Sequence, residues 1–207
     1  MVKSKSTIDD FGTGDGVDVV DAIHNRRARR AFQTKPIEDE KVEALIEAAR
    51  LAPSCNNFQP WRLVFVKGEP ALSETKAGMN RGNVWTTRAP LIIVVAAKED
   101  DDCMLSDRRN YFLFGCGLAI GQLMLRATEL GLVAHPIAGY DPAKVRAALG
   151  IPEPYIIITT VICGYPGGPE DLLSDKQKES ERTRPERKPI GENIFLDRWA
   201  NPYPSKG

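Results

Sequence analysis

Two continuous apolar runs, at residues 91–97 and 155–163, place the strongest constraint on how this chain folds. Both runs are rich in β-branched residues and lack polar alternation, so a strand built from either one is expected to be buried on both faces. Residues 111–130 form a long helical segment that is apolar nearly all round, and such a helix is buried in a large core or between subunits. The pattern therefore predicts helices that alternate with internal strands.

Shorter patterns predict the remaining elements. An amphipathic helix carries Val17, Val20 and Ile23, and a second helix begins at Pro36 and ends before Pro53. Carboxylates fill the first turn of this second helix, where they suit the helix dipole. The other predicted elements are a strand at residues 61–66 and a helix that Asp141 caps and that ends at Leu149.

Length and charge predict one soluble domain. The chain has 207 residues, with 28 Lys and Arg against 28 Asp and Glu, and this balance argues against a dedicated nucleic-acid binder. No apolar run approaches the ~20 residues of a membrane span, and the first 16 residues lack the apolar stretch of a secretory signal. We therefore expect a cytoplasmic protein whose domain covers residues 17–166, between a loose arm at 1–16 and a C-terminal extension at 167–207.

The cysteines and histidines offer little reactive chemistry of their own. Four cysteines are present without a C-x-x-C pair, and only two histidines accompany them, so no metal site is expected. We expect reduced, mostly buried thiols, while a Cys–His nucleophilic pair at Cys55 stays open. Neither a G-x-S-x-G elbow nor a G-x-x-x-x-G-K-[ST] loop occurs. The reaction is therefore expected to borrow its reactive atoms from a cofactor.

Four segments carry the binding chemistry. Arginines cluster at residues 26–30, where they suit a phosphate monoester, although the cluster taken alone is explained better by a solvated basic face or a nucleic-acid patch. The loop at 52–61 is rich in side-chain amides and contains a hydroxyl. These groups are suited either to binding a planar heterocycle or to capping the backbone of the loop itself. The loops at 80–90 and 135–140 suit a ligand or a plain connection.

The order of these segments is more specific than any one of them. The arginine cluster, the loop A-P-S-x-x-N-x-Q-P-W, an Asn-containing loop, a Gly/Ala-rich helix ending in E-L-G-L and a P-I-x-G-[FY] loop follow one another. This series resembles the FMN-dependent nitroreductase family over roughly residues 17–166, with a further likeness at 187–189. The resemblance implies an α+β fold of three layers, α/β/α, with a mixed, mainly antiparallel central sheet and an extended C-terminal arm.

The resemblance also implies a homodimer with FMN at the subunit interface. Arg26, Arg30 and Arg187 would serve the phosphate, with Arg30 near it or near the N1/O2 edge of the ring. The partner subunit would supply the loop with Ser54 and Asn57. The full set of implied cofactor-binding residues is Arg26, Arg27, Ala28, Arg30, Pro53, Ser54, Cys55, Asn57, Gln59, Asn83, Pro136, Ile137, Ala138, Gly139 and Arg187.

Two positions depart from the family pattern. Ala28 stands where a serine is common, which removes a hydroxyl contact to phosphate, and Ala138 stands where some members have an acidic residue. The glycines at 115, 117 and 121 fail the spacing of a dinucleotide fingerprint. We instead expect them to let two helices pack closely in a dimer, with residues 194–199 reaching across the partner.

The implied activity is ping-pong hydride transfer from NADH or NADPH, through the flavin, to a nitroaromatic, quinone or similar electrophile. No side chain is assigned as catalytic, because the flavin carries the electrons. Other flavin chemistry, such as reductive dehalogenation or reaction with oxygen, and non-catalytic FMN binding are the alternatives. Trp85, Phe112 and Tyr140 are predicted to line the acceptor pocket or, equally, to be core aromatics.

Overall fold

The structure, a computed structural model, describes residues 18–204. The predicted N-terminal arm at 1–16 and Val17 lie outside these residues. Among the described helices, none is long and apolar enough to cross a membrane.

A four-stranded antiparallel sheet forms the centre of the described chain. Its strands are β1 (Arg62–Val66), β2 (Leu91–Ala97), β3 (Val133–Ile137) and β4 (Ile156–Gly164), in the order β1-β2-β4-β3. Every residue of β2 is buried, as its continuous apolar run predicts. The two apolar runs pair directly with each other, from Leu91 opposite Cys163 onward.

Helices cover both faces of the sheet. Six α-helices are described: α1 (Val19–Asn25), α2 (Asp39–Arg50), α3 (Ala71–Ala77), α4 (Phe112–Glu129), α5 (Pro142–Leu149) and α6 (Asp175–Arg182). Side chains alternate along β2, so that Ile93 joins the core beneath α2 and α4 while Ile92 joins the core beneath α3 and α5. The predicted three-layer α+β fold is therefore confirmed.

Local sequence signals explain where several helices begin and end. The Asp141 carboxylate accepts hydrogen bonds from the backbone N–H groups of Ala143 and Lys144, and so caps α5. Gly150 follows α5 with a φ of 62°, a conformation that costs glycine little. Helix α2 begins at Asp39, three residues later than Pro36 suggested, because the chain first crosses the edge of the core through Ile37.

Three elements differ from the sequence prediction. Helix α3 was not predicted, and α6 lies within the segment taken as an irregular extension, where Ser174 and Gln177 form a capping box. The segment that begins at His135 was predicted as a loop, yet residues 135–137 belong to β3. Strand β3 lies at the edge of the sheet, which is the position where a proline within a strand is tolerated.

One side of α4 faces away from the core. Its buried side packs against α2 and the sheet, whereas Leu113 and Phe114 are exposed, Phe114 by 57%. Further along the chain, Trp199 is 85% exposed. These exposed apolar groups belong to the two segments that the sequence analysis assigned to a subunit interface.

Candidate functional site

Five arginines from the two ends of the described chain meet around one cavity. Residues 26–30 follow α1, residues 184–187 follow α6, and the cavity between them has a volume of about 210 Å3. It is lined by Arg26, Arg27, Ala28, Arg30, Arg184 and Arg187, among others. Four of these arginines were predicted to bind the cofactor, and the structure brings them together.

Helix α6 holds the arginine segment in place. The buried carboxylate of Glu181 accepts a hydrogen bond from the backbone N–H of Arg30 at 2.7 Å. The Arg27 guanidinium donates to the carbonyl oxygens of Ser180 and Thr183, at the last turn of the helix. These bonds satisfy carbonyls that a helix end leaves without partners. Part of the Arg27 side chain is therefore structural, and its predicted role toward the cofactor stays a prediction.

The cavity concentrates positive charge. Burial lowers the pKa of Arg26, and the neighbouring charges of Arg184, Arg187 and Arg27 lower it further. Among the described residues that line this cavity, none is acidic. A guanidinium stays protonated even so. The arrangement is therefore suited to a compact anion with two negative charges, such as a phosphate monoester.

Two of the predicted ligand loops bind each other. The side-chain amide of Asn83 donates to the carbonyl oxygen of Gly139 at 2.8 Å, and the backbone N–H of Asn80 donates to the same oxygen at 3.0 Å. A Cβ atom at Gly139 would overlap the Asn83 amide nitrogen. A side chain at position 139 would therefore force the Asn83 amide to move and break its hydrogen bond to the Gly139 carbonyl.

An aromatic stack connects these loops to the arginine cavity. The rings of Trp85 and His135 stack with centroids 5.1 Å apart, and the Arg30 guanidinium lies 5.9 Å from the Trp85 ring. Nδ1 of His135 lies 2.9 Å from the Arg29 carbonyl oxygen. Burial lowers the pKa of His135 to about 4, despite the opposing effect of that hydrogen bond. The imidazole is therefore neutral at pH 7.

The loop after α2 has an unusual backbone. Asn56, Asn57 and Gln59 all have positive φ angles, between 45° and 58°, a region that non-glycine residues rarely adopt. The Ser54 hydroxyl accepts a hydrogen bond from the Gln59 N–H at 2.9 Å, and the Gln59 amide donates to the Asn57 carbonyl at 3.1 Å. Such strain persists only where the surroundings impose it, and it is typical of ligand-binding segments.

The expectation of four reduced thiols is wrong for two of them. Cys55 and Cys103 form a disulfide, with their Cα atoms 6.2 Å apart. They are 48 residues apart in sequence, so no local spacing could indicate the pairing. Cys116 and Cys163 are free and buried, as expected. Burial, reinforced by the charge of Asp102, raises the pKa of Cys116 to about 12, and burial also raises the pKa of Cys163.

Several of the remaining predicted residues line two further cavities, whereas Ile137 is buried in the core beneath α3 and α5 and Ala138 is exposed after β3. Pro53, Ser54 and Cys55 line a different cavity from the arginines, together with Tyr111 and Phe114 beside α4. Pro136 lines an apolar cavity of about 330 Å3 along the exposed side of α4. In this single chain the loop at 53–59 is therefore not part of the arginine cavity.

Of the three predicted acceptor-pocket aromatics, Trp85 and Phe112 are core residues and Tyr140 is half-buried against the core. Trp85 is 1% exposed and Phe112 is 3% exposed, while the Tyr140 hydroxyl donates to the Ile157 carbonyl at 2.9 Å. Sequence reasoning missed three residues that line the arginine cavity, Ser180, Arg184 and Pro185, of which Arg184 is the charged one. Its only signal was a second short basic stretch, which includes Arg184 and Arg187, in a charged segment.

Comparison with known proteins identifies relatives of this chain. The Nitroreductase family model matches residues 23–78 and 70–165. A Thermus thermophilus protein named NADH dehydrogenase is 28% identical over 180 residues, which cover 72% of this chain and 87% of that protein. An Archaeoglobus fulgidus protein with the provisional name NADH dehydrogenase/NAD(P)H nitroreductase is 27% identical over 181 residues, covering 86% and 96%.

Solved structures share the fold. A structure described as an oxidoreductase containing FMN aligns with a TM-score of 0.75 at 23% identity, covering 97% of this chain and 100% of that one. A Desulfovibrio desulfuricans protein solved in complex with FMN aligns with a TM-score of 0.69 at 24% identity, covering 90% and 98%. At these identities the likeness establishes a common fold.

Proposed function

The chain belongs to the nitroreductase family, and on that premise we propose that it is an FMN-dependent oxidoreductase that takes electrons from NADH or NADPH. The names of its relatives, which include NADH dehydrogenase and NAD(P)H nitroreductase, support the donor. The titles of two solved relatives, each of which mentions FMN, support the cofactor. The acceptor class we propose is an electrophilic small molecule such as a nitroaromatic or a quinone.

The arginine cavity is the observation that carries this proposal. Burial lowers the pKa of Arg26, and Arg184 and Arg187 lie close enough to lower it further, while no acidic residue described in the cavity lining offsets these charges. Mutual repulsion of this kind is relieved when an anion binds. The phosphate of FMN carries close to two negative charges and accepts bidentate bonds from guanidinium groups. The donor set therefore fits the group.

The paired loops next to the cavity are suited to the edge of the flavin ring. Because Nδ2 of Asn83 donates to Gly139, the amide oxygen is the atom of Asn83 that can accept a bond from a ring N–H. Gly139 has no side chain that could occupy the space beside Asn83, and a larger residue there would displace Asn83. Together these two residues would orient a planar heterocycle without any charged contact.

When bound, the flavin supplies two-electron chemistry between the nicotinamide and the acceptor. The residues of this chain bind and orient the reactants and supply positive charge near the ring through Arg30. His135 is neutral and buried, with its Nδ1 beside a carbonyl oxygen, so it is not suited to deliver protons. We therefore propose that the acceptor takes its proton from solvent.

The active unit is proposed to be a homodimer. The loop with Ser54 lines a cavity separate from the arginines, so in our proposal it meets the cofactor of the partner subunit. The exposed Leu113 and Phe114 on α4 would be covered in such a dimer, and the exposed Trp199 would pack across it. Residues 167–207 would then act as the extension that wraps the partner.

Cofactor uptake followed by anaerobic reduction tests this proposal. The purified chain is incubated with FMN, freed of excess cofactor by gel filtration, and then mixed with NADH or NADPH in a stopped-flow spectrophotometer. We expect a yellow dimer whose flavin absorbance bleaches within the mixing experiment and returns when a quinone or nitroaromatic is added. A colourless protein would refute FMN binding. A yellow protein that neither nicotinamide bleaches would instead identify a non-catalytic flavin binder.

A further inference from the structure

A cluster of metal-ligating groups lies where the Cys55 loop meets the segment after β2. The Sγ atoms of Cys55 and Cys103 and a carboxylate oxygen of Asp102 all lie within 4.8 Å of one another. The sequence analysis gave no reason to expect a metal here, because the donors come from separate segments without a C-x-x-C spacing. The fold brings them together.

Asp102 is the residue whose surroundings favour a cation site. It is only 6% exposed, and neither of its carboxylate oxygens has a hydrogen-bond partner within the described residues. The neighbouring Asp101, in contrast, is paired with Arg62 at 2.7 Å and with Lys98 at 3.2 Å. A buried carboxylate without a partner is costly, and proteins normally pair such a group or use it to bind a metal.

We propose that reduction of the Cys55–Cys103 disulfide creates a zinc site formed by the two thiolates and the Asp102 carboxylate. Two soft sulfur donors and one oxygen suit Zn2+, which binds sulfur at about 2.3 Å and carboxylate oxygen at about 2.0–2.2 Å. Calcium and magnesium instead require sets of oxygen ligands. Three protein ligands leave the fourth tetrahedral position to water.

The chemical balance needs only a reductant and the metal. A phosphine reductant supplies two electrons that break the S–S bond and takes the oxygen of one water to become a phosphine oxide, while the two protons of that water give the thiols. A dithiol instead supplies both the two electrons and the two protons and becomes a disulfide. Zinc then displaces those two protons and is bound by the thiolates. Both the disulfide and the zinc site tie Cys55 to the segment at 102–103, whereas the reduced, metal-free chain lacks this link. The site therefore makes the loop around Ser54 sensitive to both reductant and zinc.

Cobalt is the probe for this site, because Co2+ bound by thiolates in tetrahedral geometry gives intense absorption in the red, where oxidised flavin does not absorb. The full-length protein is reduced anaerobically with a phosphine and titrated with Co2+, and then with Zn2+. We expect one Co2+ per chain, displaced by one Zn2+, and no binding by the oxidised protein. No flavin is needed, so failure of this titration would leave the proposed oxidoreductase function untouched.

Matched variants separate this site from surface binding. Asp102→Asn should still form the disulfide but bind Zn2+ at least about tenfold more weakly, since even an outer-shell partner contributes that much. Cys103→Ser should abolish the cobalt bands. Cys163→Ala removes a buried thiol outside the cluster and should bind like the parent protein. Equal binding by the oxidised protein or by Cys103→Ser would overturn the proposal.

Zinc protection provides a measurement that needs no variant to fold. The reduced parent protein is alkylated with and without Zn2+, and the modified cysteines are identified by mass spectrometry. We expect zinc to slow the modification of Cys55 and Cys103 together. Alkylation of both at the same rate with and without zinc would refute the site and leave a redox-active cysteine pair without a metal.

Discussion

Replacing Arg184 by alanine tests whether the arginine cavity binds phosphate. The Arg184 guanidinium lines the cavity and donates to the Arg26 carbonyl at 2.8 Å. Its charge also lowers the pKa of Arg26. The substitution therefore removes one positive charge from the cavity and releases the chain at residue 184 from the arginine segment.

The expected loss can be worked out from this geometry. A hydrogen bond to a charged group contributes about 1.5–3 kcal/mol, and because Arg184 is exposed to solvent we discount this range to about 1–2 kcal/mol. A loss of about 1–2 kcal/mol corresponds to an FMN dissociation constant that is about 5- to 30-fold higher. Because Arg184 repels Arg26 in the free protein, the cofactor-free variant should be about as stable to unfolding as the parent.

Riboflavin makes the assay specific, since it has the ring and ribityl chain of FMN without the phosphate. Both dissociation constants are measured by quenching of flavin fluorescence. Arg184→Ala should weaken FMN binding and leave riboflavin binding unchanged, while Arg184→Lys should recover part of the affinity for FMN. The matched control is Arg182→Ala, which removes an exposed arginine that pairs with Glu170 on the surface and should change neither constant. Equal weakening of FMN and riboflavin would refute phosphate recognition at this cavity.

Three further predictions concern the loops and the stability of the fold. Gly139→Ala should displace Asn83 and weaken the binding of riboflavin and of FMN to the same extent. Gly82→Ala, whose Cβ meets nothing within 4 Å, should leave the binding of both flavins unchanged in the same titration. Because the pKa of buried His135 is lowered to about 4 from an ordinary 6.5, the unfolded chain binds more protons between these values, and stability should fall by about 3 kcal/mol as pH drops through that window. The free energy of unfolding, measured with urea across this pH range, should depend less steeply on pH in His135→Asn than in the parent protein. An unchanged pH dependence would contradict the assignment. Asp141→Ala should cost about 1 kcal/mol in the same unfolding assay at pH 7, and no loss would mean that the cap is dispensable.

Sequence pattern was sufficient for the elements whose side chains have one environment throughout. Strand β2 occupies the whole predicted run, because all of its residues are buried between two helical layers. Helix α5 was predicted at both ends, since the Asp141 cap and Gly150 act within a few residues of the helix. Helix α3 was missed because it is short and its pattern is weak, with Leu72 and Thr75 as its buried residues. Strand β3 was missed because a proline within it argues against a strand unless the strand lies at an edge.

The candidate site was predictable where a local motif carries its residues. The motifs identified the cluster at 26–30 and the positions Asn83 and Gly139, although they did not indicate that these two residues contact each other. Arg184 was not identified, because a charged, polar segment gives no sign of which of its arginines lines the cavity. Its hydrogen bond to Arg26 joins residues that are 158 positions apart.

The sequence by itself determined most of the helices and strands, the order of the ligand segments and, through the resemblance that this order carries, the family and its layered fold, because hydrophobic periodicity, caps and motifs are all local properties of the chain. Only the tertiary structure decided that Cys55 meets Cys103 beside a buried Asp102, and that one cavity collects arginines from both ends of the described chain. Such contacts depend on the path of the backbone between distant segments. That path is set by how the helices and the sheet pack together, and no local pattern records it.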